Sequence, residues 1–496
     1  PDYVFGASQP QALAWVKEDY PKLYEQIGKA VADGRWECQG AMWVEPDMNV
    51  PGGEALARQL LYGIRFFEQE FGTRVTNLWL PDVFGYSAAL PQLLRLAGVD
   101  SFMTQKISWN ESTTFPHHTF EWEGIDGTSV RTHFLPTNTY NAENTAQELI
   151  AGEQRFAQAD VSDDWLNLYG IGDGGGGPSR KHVEFARRAA NTEGMPRVKM
   201  APAERFFARI AKVPAGRLPL WRGELYLELH RGTYTTQSAL KRLNRRLELT
   251  LRDAEYLTTV AGVDQREAIE RIWKNTLLNQ FHDILPGSSI TRVYDTAREE
   301  SERNLAELDR LIEASLTELH GRPPRSPRAF AVHNTLSWER RAIVRVPWSD
   351  GRVPVLADAS GESLVAQPVE GGVLVPVTVP PMGWTWVDAT GSGAGVGADG
   401  DDAHTHPAGG SGDVPADARI TPVTASETRL ENALVRVDLA GDGTIGSIYD
   451  KEHRREALAD GANRLLLWED LPYSWDAWDI SHYYRETEPE QAVLTE

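Results

Sequence analysis

Residues 78–92 read LWLPDVFGYSAALPQ. The run from Val75 to Leu80 has the apolar density of a short buried strand, and Ala88 to Gly98 has the spacing of a helix that Gly98 stops. Asp82 therefore falls where the carboxyl end of a strand turns into a helix. Ligands and catalytic groups collect at that edge of an α/β sheet, because its loops can vary while the sheet holds them in place. Set between Pro81 and the apolar pair Val83 and Phe84, the Asp82 carboxylate is partly desolvated and asks for a positive partner. A bound metal ion is one such partner.

The flanking sequence repeats this alternation. Gln11 to Val31 has helical spacing up to Gly34, and Leu56, Leu60, Ile64, Phe67 and Phe71 form one stripe that ends at Gly72. Ser101–Thr104 and Val130–Leu135 read as strands, and Leu166–Ile171 as a further strand leading through GDGGGGP into a helix from Ser179. Strands separated by helices predict a parallel α/β domain over residues 1–215. Leu240, Leu243, Leu247 and Leu251 then mark one long amphipathic helix. Asp264 with Glu267 has the form of a capping box opening a second, and Leu305, Leu308, Ile312 and Leu319 mark a third. Residues 216–322 are thus a three-helix bundle that completes the site. The alternating runs AIVRVP and VLVPVTV, broken by Gly and Pro, predict an antiparallel β-sandwich over 323–496, incomplete at its end. Within it, 391–417 is too rich in Gly, Asp, Ala and Ser to bury a core and reads as a flexible loop. That loop is also the home of His404 and His406.

At 496 residues the chain exceeds a single core. A formal charge of −21 argues against nucleic-acid partners and anionic membrane surfaces. No apolar run is long enough to span a bilayer. The lone Cys38 excludes a disulfide framework and a cysteine-rich zinc site, and tilts localisation towards the cytoplasm. The chain opens at Pro1 with neither an initiator Met nor a signal-peptide pattern, which reads as a fragment whose native start lies upstream. Oligomeric state is left open, a homo-oligomer included.

Three motifs carry chemistry. Gln280-Phe281-His282-Asp283 closes the second bundle helix, where an imidazole can be aimed into a neighbouring cleft as a zinc ligand; a helix-end His favoured by the dipole is the plainer alternative. Gly172-Asp173-Gly174 lets backbone approach a ligand and places Asp173 like Asp82. A phosphate cradle fails there, because Pro178-Ser179 stands where a P-loop has Lys-Ser/Thr. Two carboxylates on strand ends suit glycoside hydrolysis, one as nucleophile and one as acid/base. Sugar faces pack on rings, and Trp43, Trp79, Phe84, Tyr86, Trp109 and Tyr140 lie near strand ends or loops.

The segments WVEPDMN (43–49), WLPDVFGYSAALPQ (79–92), TFPHHTFEWEGIDG (114–127), GDGGGGP (172–178), GELYLELHRGTYTTQ (223–237) and NQFHDILPGSS (279–289) resemble the α-mannosidases of glycoside hydrolase family 38, in the family's order, with the wording of its cytosolic-type branch. The resemblance implies a seven-stranded parallel α/β domain of barrel-like form, a three-helix bundle and C-terminal β domains. It implies a retaining, exo-acting hydrolase of terminal α-mannosides, acting on mannose-containing oligosaccharides. It also implies one zinc, bound by an N-terminal His-x-Asp pair together with Asp82 and His282. Asp82 is then also the nucleophile, Asp173 the candidate acid/base, and Asp283 a contact for substrate hydroxyls. Trp79, Phe84, Tyr86, His118 and Tyr140 join it as candidate substrate-binding residues. No His-x-Asp occurs in the sequence, so the metal site is expected to be incomplete, with two donors upstream of residue 1. The rival readings are a mannoside-binding relative impaired in catalysis and a zinc-dependent polysaccharide deacetylase.

Overall fold

The computed structural model describes residues 3–173, 175–321, 328–348, 354–392 and 423–492. The chain divides into two units, Pro1–Gly395 with Ala477–Asp479, and Val396–Asp476 with Ile480–Glu496.

In the first unit, β1 (Phe5–Ala7) leads into α1 (Pro10–Asp19) and α2 (Pro21–Ala32), and β2 (Trp36–Cys38) lies parallel to β1. The single helix expected from Gln11 to Val31 is broken here, because Pro21 has no N–H to continue the ladder and its ring disfavours helical backbone at Tyr20, which sits at φ −134°. The stripe of α3 (Gly53–Phe71) buries Leu56, Leu60, Ile64 and Phe67, and Gly72 ends the helix in the left-handed conformation. Next come β3 (Asn77–Trp79), α4 (Leu90–Leu96), β4 (Ser101–Thr104), β5 (Thr119–Glu123) and β6 (Ser129–Phe134). These are followed by α5 (Ala146–Arg155), α6 (Arg180–Arg188), α7 (Ala203–Ile210) and β7 (Leu220–Arg222).

Five of these strands form one sheet in the order β3-β4-β6-β5-β7. A single parallel bridge between Gly40 and Leu78 links it to the β1–β2 pair. β3, β4 and β6 run parallel, with every residue of β3 and β4 buried. The expectation of an all-parallel sheet fails at β5, which runs antiparallel to β6. The connection through Gly124–Thr128, with Gly127 at φ 82°, is far too short for a parallel crossover and makes a hairpin instead. The strand expected at Leu166–Ile171 is reduced to one bridge, Tyr169 with Ala142, made by Ala142 N–H to Leu168 O at 3.3 Å and Gly170 N–H to Ala142 O at 3.2 Å, while Leu166 N–H donates to the His133 ring.

Three long helices follow: α8 (Ser238–Ala261), α9 (Arg266–Leu278) and α10 (Thr291–His320). The capping box expected at Asp264 and Glu267 does not form, since Asp264 is taken by the backbone N–H and guanidinium of Arg266 and α9 starts one residue past Gln265. The helices share one core, in which Leu247, Leu251, Ile272, Trp273 and Leu308 meet Trp43, Val44, Ala55 and Tyr62 of the preceding domain. This shared packing draws the end of α9 across to the 43–47 segment. Pro46 bridges Phe281, His282 N–H donates to Glu45 O at 3.1 Å, and Asp47 N–H to Gln280 O at 2.8 Å.

The unit continues with β8 (Ala329–Asn334), β9 (Arg340–Pro347), β10 (Pro354–Asp358), β11 (Ser363–Leu364), β12 (Gln367–Val369), β13 (Gly372–Val379) and β14 (Gly383–Ser392). They form two antiparallel sheets, β11-β10-β14-β8 and β12-β13-β9. Alternate residues of β13, Val373, Val375, Val377 and Val379, are all buried in one core with Val346, Leu356 and Val387, the period-two pattern of facing sheets. The second unit carries a five-stranded antiparallel sheet, β15 (Thr424–Ala425) to β19 (Arg455–Glu456) in sequence order. One of its turns places Gly443 at φ 82°. Most of the 391–417 stretch, His404 and His406 included, lies outside the described residues.

Candidate active site

Asp82 follows β3 directly, and each of its carboxylate oxygens is held. Lys106, two residues past β4, places Nζ 2.7 Å from Oδ1, and the Tyr140 hydroxyl donates to Oδ2 at 2.8 Å. The Lys106 side chain is 4% exposed, with its ammonium 3.7 Å from the centre of the Trp109 ring and 5.2 Å from that of Phe84. Burial, then the charge of Asp82, hold the Tyr140 phenol far above its ordinary range, so it stays a donor.

His282 reaches the same carboxylate from the turn that follows α9. Its Nδ1 lies 2.8 Å from Glu45 O, and a carbonyl can only accept, so that nitrogen carries the hydrogen; in the neutral ring the lone pair is then on Nε2. Nε2 stands 4.0 Å from Asp82 Oδ2 and 3.9 Å from Asp283 Oδ2. Behind it the Glu45 carboxyl is buried and accepts from Ser8 Oγ; burial pushes its pKa up, against the pull of His282 and Ser8. Asp47, also buried, accepts from Asn49 N at 2.9 Å and Val50 N at 2.7 Å and so shapes the turn behind the site. A cleft of about 710 Å³ is lined by Asp82, His282, Asp283, Tyr140, Trp79 and Asp173. Asp173 lies exposed at its edge, where Asn141 Oδ1 accepts from the Gly172 and Asp173 N–H groups.

The family question is answered by the match of three domain models in order. Residues 1–224 match the glycosyl hydrolases family 38 N-terminal domain, 228–319 the alpha mannosidase middle domain, and 430–493 the glycosyl hydrolases family 38 C-terminal domain. The chain belongs to glycoside hydrolase family 38. Alpha-mannosidase 2C1 of Homo sapiens is 35% identical to this family 38 chain over 506 residues, a match covering 98% of the chain and 44% of that protein. The Alpha-mannosidase of Saccharomyces cerevisiae is 33% identical over 501 residues, covering 97% of the chain and 41% of that protein. The chain thus spans less than half the length of these relatives. The crystal structure of an alpha-mannosidase from Enterococcus faecalis V583 shares the fold, with a TM-score of 0.66 at 18% identity over 92% of this chain and 57% of that one.

The other candidates of this family 38 chain divide. Phe84 stands behind the cleft, edge-on to the rings of His230 and His282. Tyr86 is buried, its hydroxyl donating to Leu80 O at 2.9 Å. His118 accepts from Ala157 N–H and packs near Phe156, outside the cleft lining, and burial takes its pKa down to about 4. Lys106 and Glu45 are the functional candidates that pattern reading missed. Lys106 follows a strand end just as Asp82 does and was open to the same argument, whereas Glu45 lies within the WVEPDMN segment with no pattern of its own to single it out.

Family membership implies a metal, which the donors present can be tested against. Among the described residues no three His, Cys, Asp or Glu side chains are placed to hold one. Asp82 and His282 supply two donors 4.0 Å apart, and both Asp82 oxygens already carry protein partners. That pair alone does not make a four-ligand zinc set.

Proposed function

We propose that this chain carries the catalytic residues of a retaining α-mannosidase, acting on the non-reducing ends of mannose-containing oligosaccharides. One observation supports this most directly: a carboxylate at a strand end, bordering the cleft, with a cation on one oxygen and a phenol on the other. Such pinning fixes the orientation of the Asp82 carboxylate at the cleft, as an attacking group requires. In the first step an Asp82 oxygen forms a bond to the anomeric carbon, the glycosidic C–O bond breaks, and Asp173 delivers a proton to the departing oxygen. Asp283 and Tyr140 line the cleft and are the proposed contacts for sugar hydroxyls, with Trp79 offering a ring to a sugar face. Asp82 and His282 are the donors this chain would contribute to a zinc ion. Cytoplasmic residence belongs to the same reading and rests on the single buried Cys38, whose thiol burial holds at about 12. No helix among the described residues is long and apolar enough to cross a membrane.

The test is Asp82→Asn, assayed with an aryl α-mannoside. An amide of nearly the same shape cannot form the glycosyl ester, so turnover should fall by roughly a thousandfold or more while the melting temperature holds within a few degrees. Near-normal turnover in that variant would refute the assignment. Release of acetate from an acetylated polysaccharide by the wild type would favour the deacetylase reading instead.

A further inference from the structure

We propose that Lys106 is a positioning residue that acts through Asp82 to speed release of the sugar from the enzyme. The inference rests on the reading of Asp82 as nucleophile and adds a role for the cation beside it. Lys106 is almost fully buried, and among the described residues Asp82 is the one hydrogen-bond acceptor of its ammonium. Its other near neighbours are the faces of Trp109 and Phe84, which tolerate a cation but take no proton from it. The charge of a buried ammonium is thus directed at one carboxylate oxygen, at 2.7 Å. With the ammonium 4% exposed and the carboxylate 25% exposed, that contact is screened less than a surface ion pair.

A fixed positive charge there acts oppositely on the two halves of a double displacement. When the ester forms, Asp82 gives an electron pair to the anomeric carbon and loses its negative charge, so Lys106 disfavours that step. When the ester breaks, a water oxygen bonds to the anomeric carbon and its proton passes to Asp173. As that bond forms, the bond from carbon to the Asp82 oxygen cleaves, and the electron pair returns to the carboxylate beside Lys106. The cation lowers the barrier of this second step by stabilising the leaving carboxylate. Lys106 therefore makes Asp82 a poorer nucleophile and a better leaving group, and keeps the enzyme from stalling as its own ester. Tyr140, on the other oxygen, continues to orient Asp82 when the charge is removed.

The experiment compares wild type, Lys106→Met and Lys106→Arg as full chains with matched metal content, using an activated aryl α-mannoside under rapid mixing. Lys106→Met should show a burst of aryl alcohol close to one per active site, followed by a steady rate lowered by roughly tenfold or more. KM should fall with kcat, leaving kcat/KM within about threefold of wild type, because the first step survives. The quenched variant should carry one hexosyl unit by intact mass. Lys106→Arg, which restores the charge, should remove the burst and recover kcat. Equal losses in kcat and kcat/KM without a burst, or no recovery in Lys106→Arg, would overturn the proposal. Should Lys106→Met fail to melt cooperatively, Lys106→Gln, polar and uncharged, takes its place under the same criteria. A hexosyl label mapped to a residue other than Asp82 would instead refute the nucleophile assignment, and an inert wild type the mannosidase reading itself.

Discussion

Replacing Gly63 with alanine should destabilise this protein, although intrinsic propensity says the reverse. Gly63 lies in the middle of α3, and alanine in a helix interior is favoured over glycine by about 0.8–1 kcal/mol. A Cβ at this position, however, would stand 2.5 Å from the carbonyl carbon of Met42, and the Ala41 carbonyl oxygen is closer still. Both are backbone atoms, so no rotamer change relieves the overlap. Forcing a methyl into a packed interior costs about 1–3 kcal/mol, and the upper part of that range applies where backbone must move. The net loss is then roughly 1–2 kcal/mol after the propensity gain is credited. Gly28 in α2 is the control, since nothing lies within 4 Å of its added Cβ. Gly28→Ala should therefore gain most of the propensity term, about 0.5–1 kcal/mol. Urea titrations followed by tryptophan fluorescence would measure the difference, with the midpoints moving in opposite directions. The displaced segment runs on to Glu45, whose carbonyl holds His282, so Gly63→Ala should also lose activity while Gly28→Ala does not. A Gly63→Ala protein as stable as wild type would refute the packing argument.

Asp173→Ala should slow natural disaccharides far more than aryl mannosides with good leaving groups, because only the former need a proton on the departing oxygen; equal losses on both would remove Asp173 from the acid role. His282→Ala should lower bound metal and turnover together, as measured by elemental analysis beside initial rates, and an unchanged metal stoichiometry would leave His282 without a metal role. Asp479 accepts from the backbone N–H of His230 at 2.6 Å and lies 3.2 Å from its ring Nδ1, while His230 is held at φ 57° against Phe84. Removing the carboxylate strips a buried N–H of this acceptor, so Asp479→Ala should cost about 1–3 kcal/mol in thermal unfolding. An unshifted melting curve would show that His230 needs no such hold.

What depends on neighbouring residues was legible before any folding is considered. The stripe of Leu56, Leu60, Ile64 and Phe67 names the buried face of α3, and the alternation of Val373, Val375, Val377 and Val379 names that of β13. The apolar run before Asp82 places this residue at a strand end, because each of these features repeats within a turn or a pleat. The order of motifs likewise sufficed to indicate the family. Which groups meet follows from the packing of the whole chain. Lys106 is 24 residues from Asp82, Glu45 is 237 from His282, and Asp479 is 249 from His230, separations at which no periodicity links the partners. The same holds for strand direction. A β5 that satisfies its burial pattern equally well either way was reversed by the short turn at Gly124–Thr128, and Leu166–Ile171 pairs only through its bridge to Ala142. Local pattern encodes which face is buried. What it is buried against is a sum over the whole core, in which pairing energy, chain connectivity and the need to satisfy every backbone group are settled together.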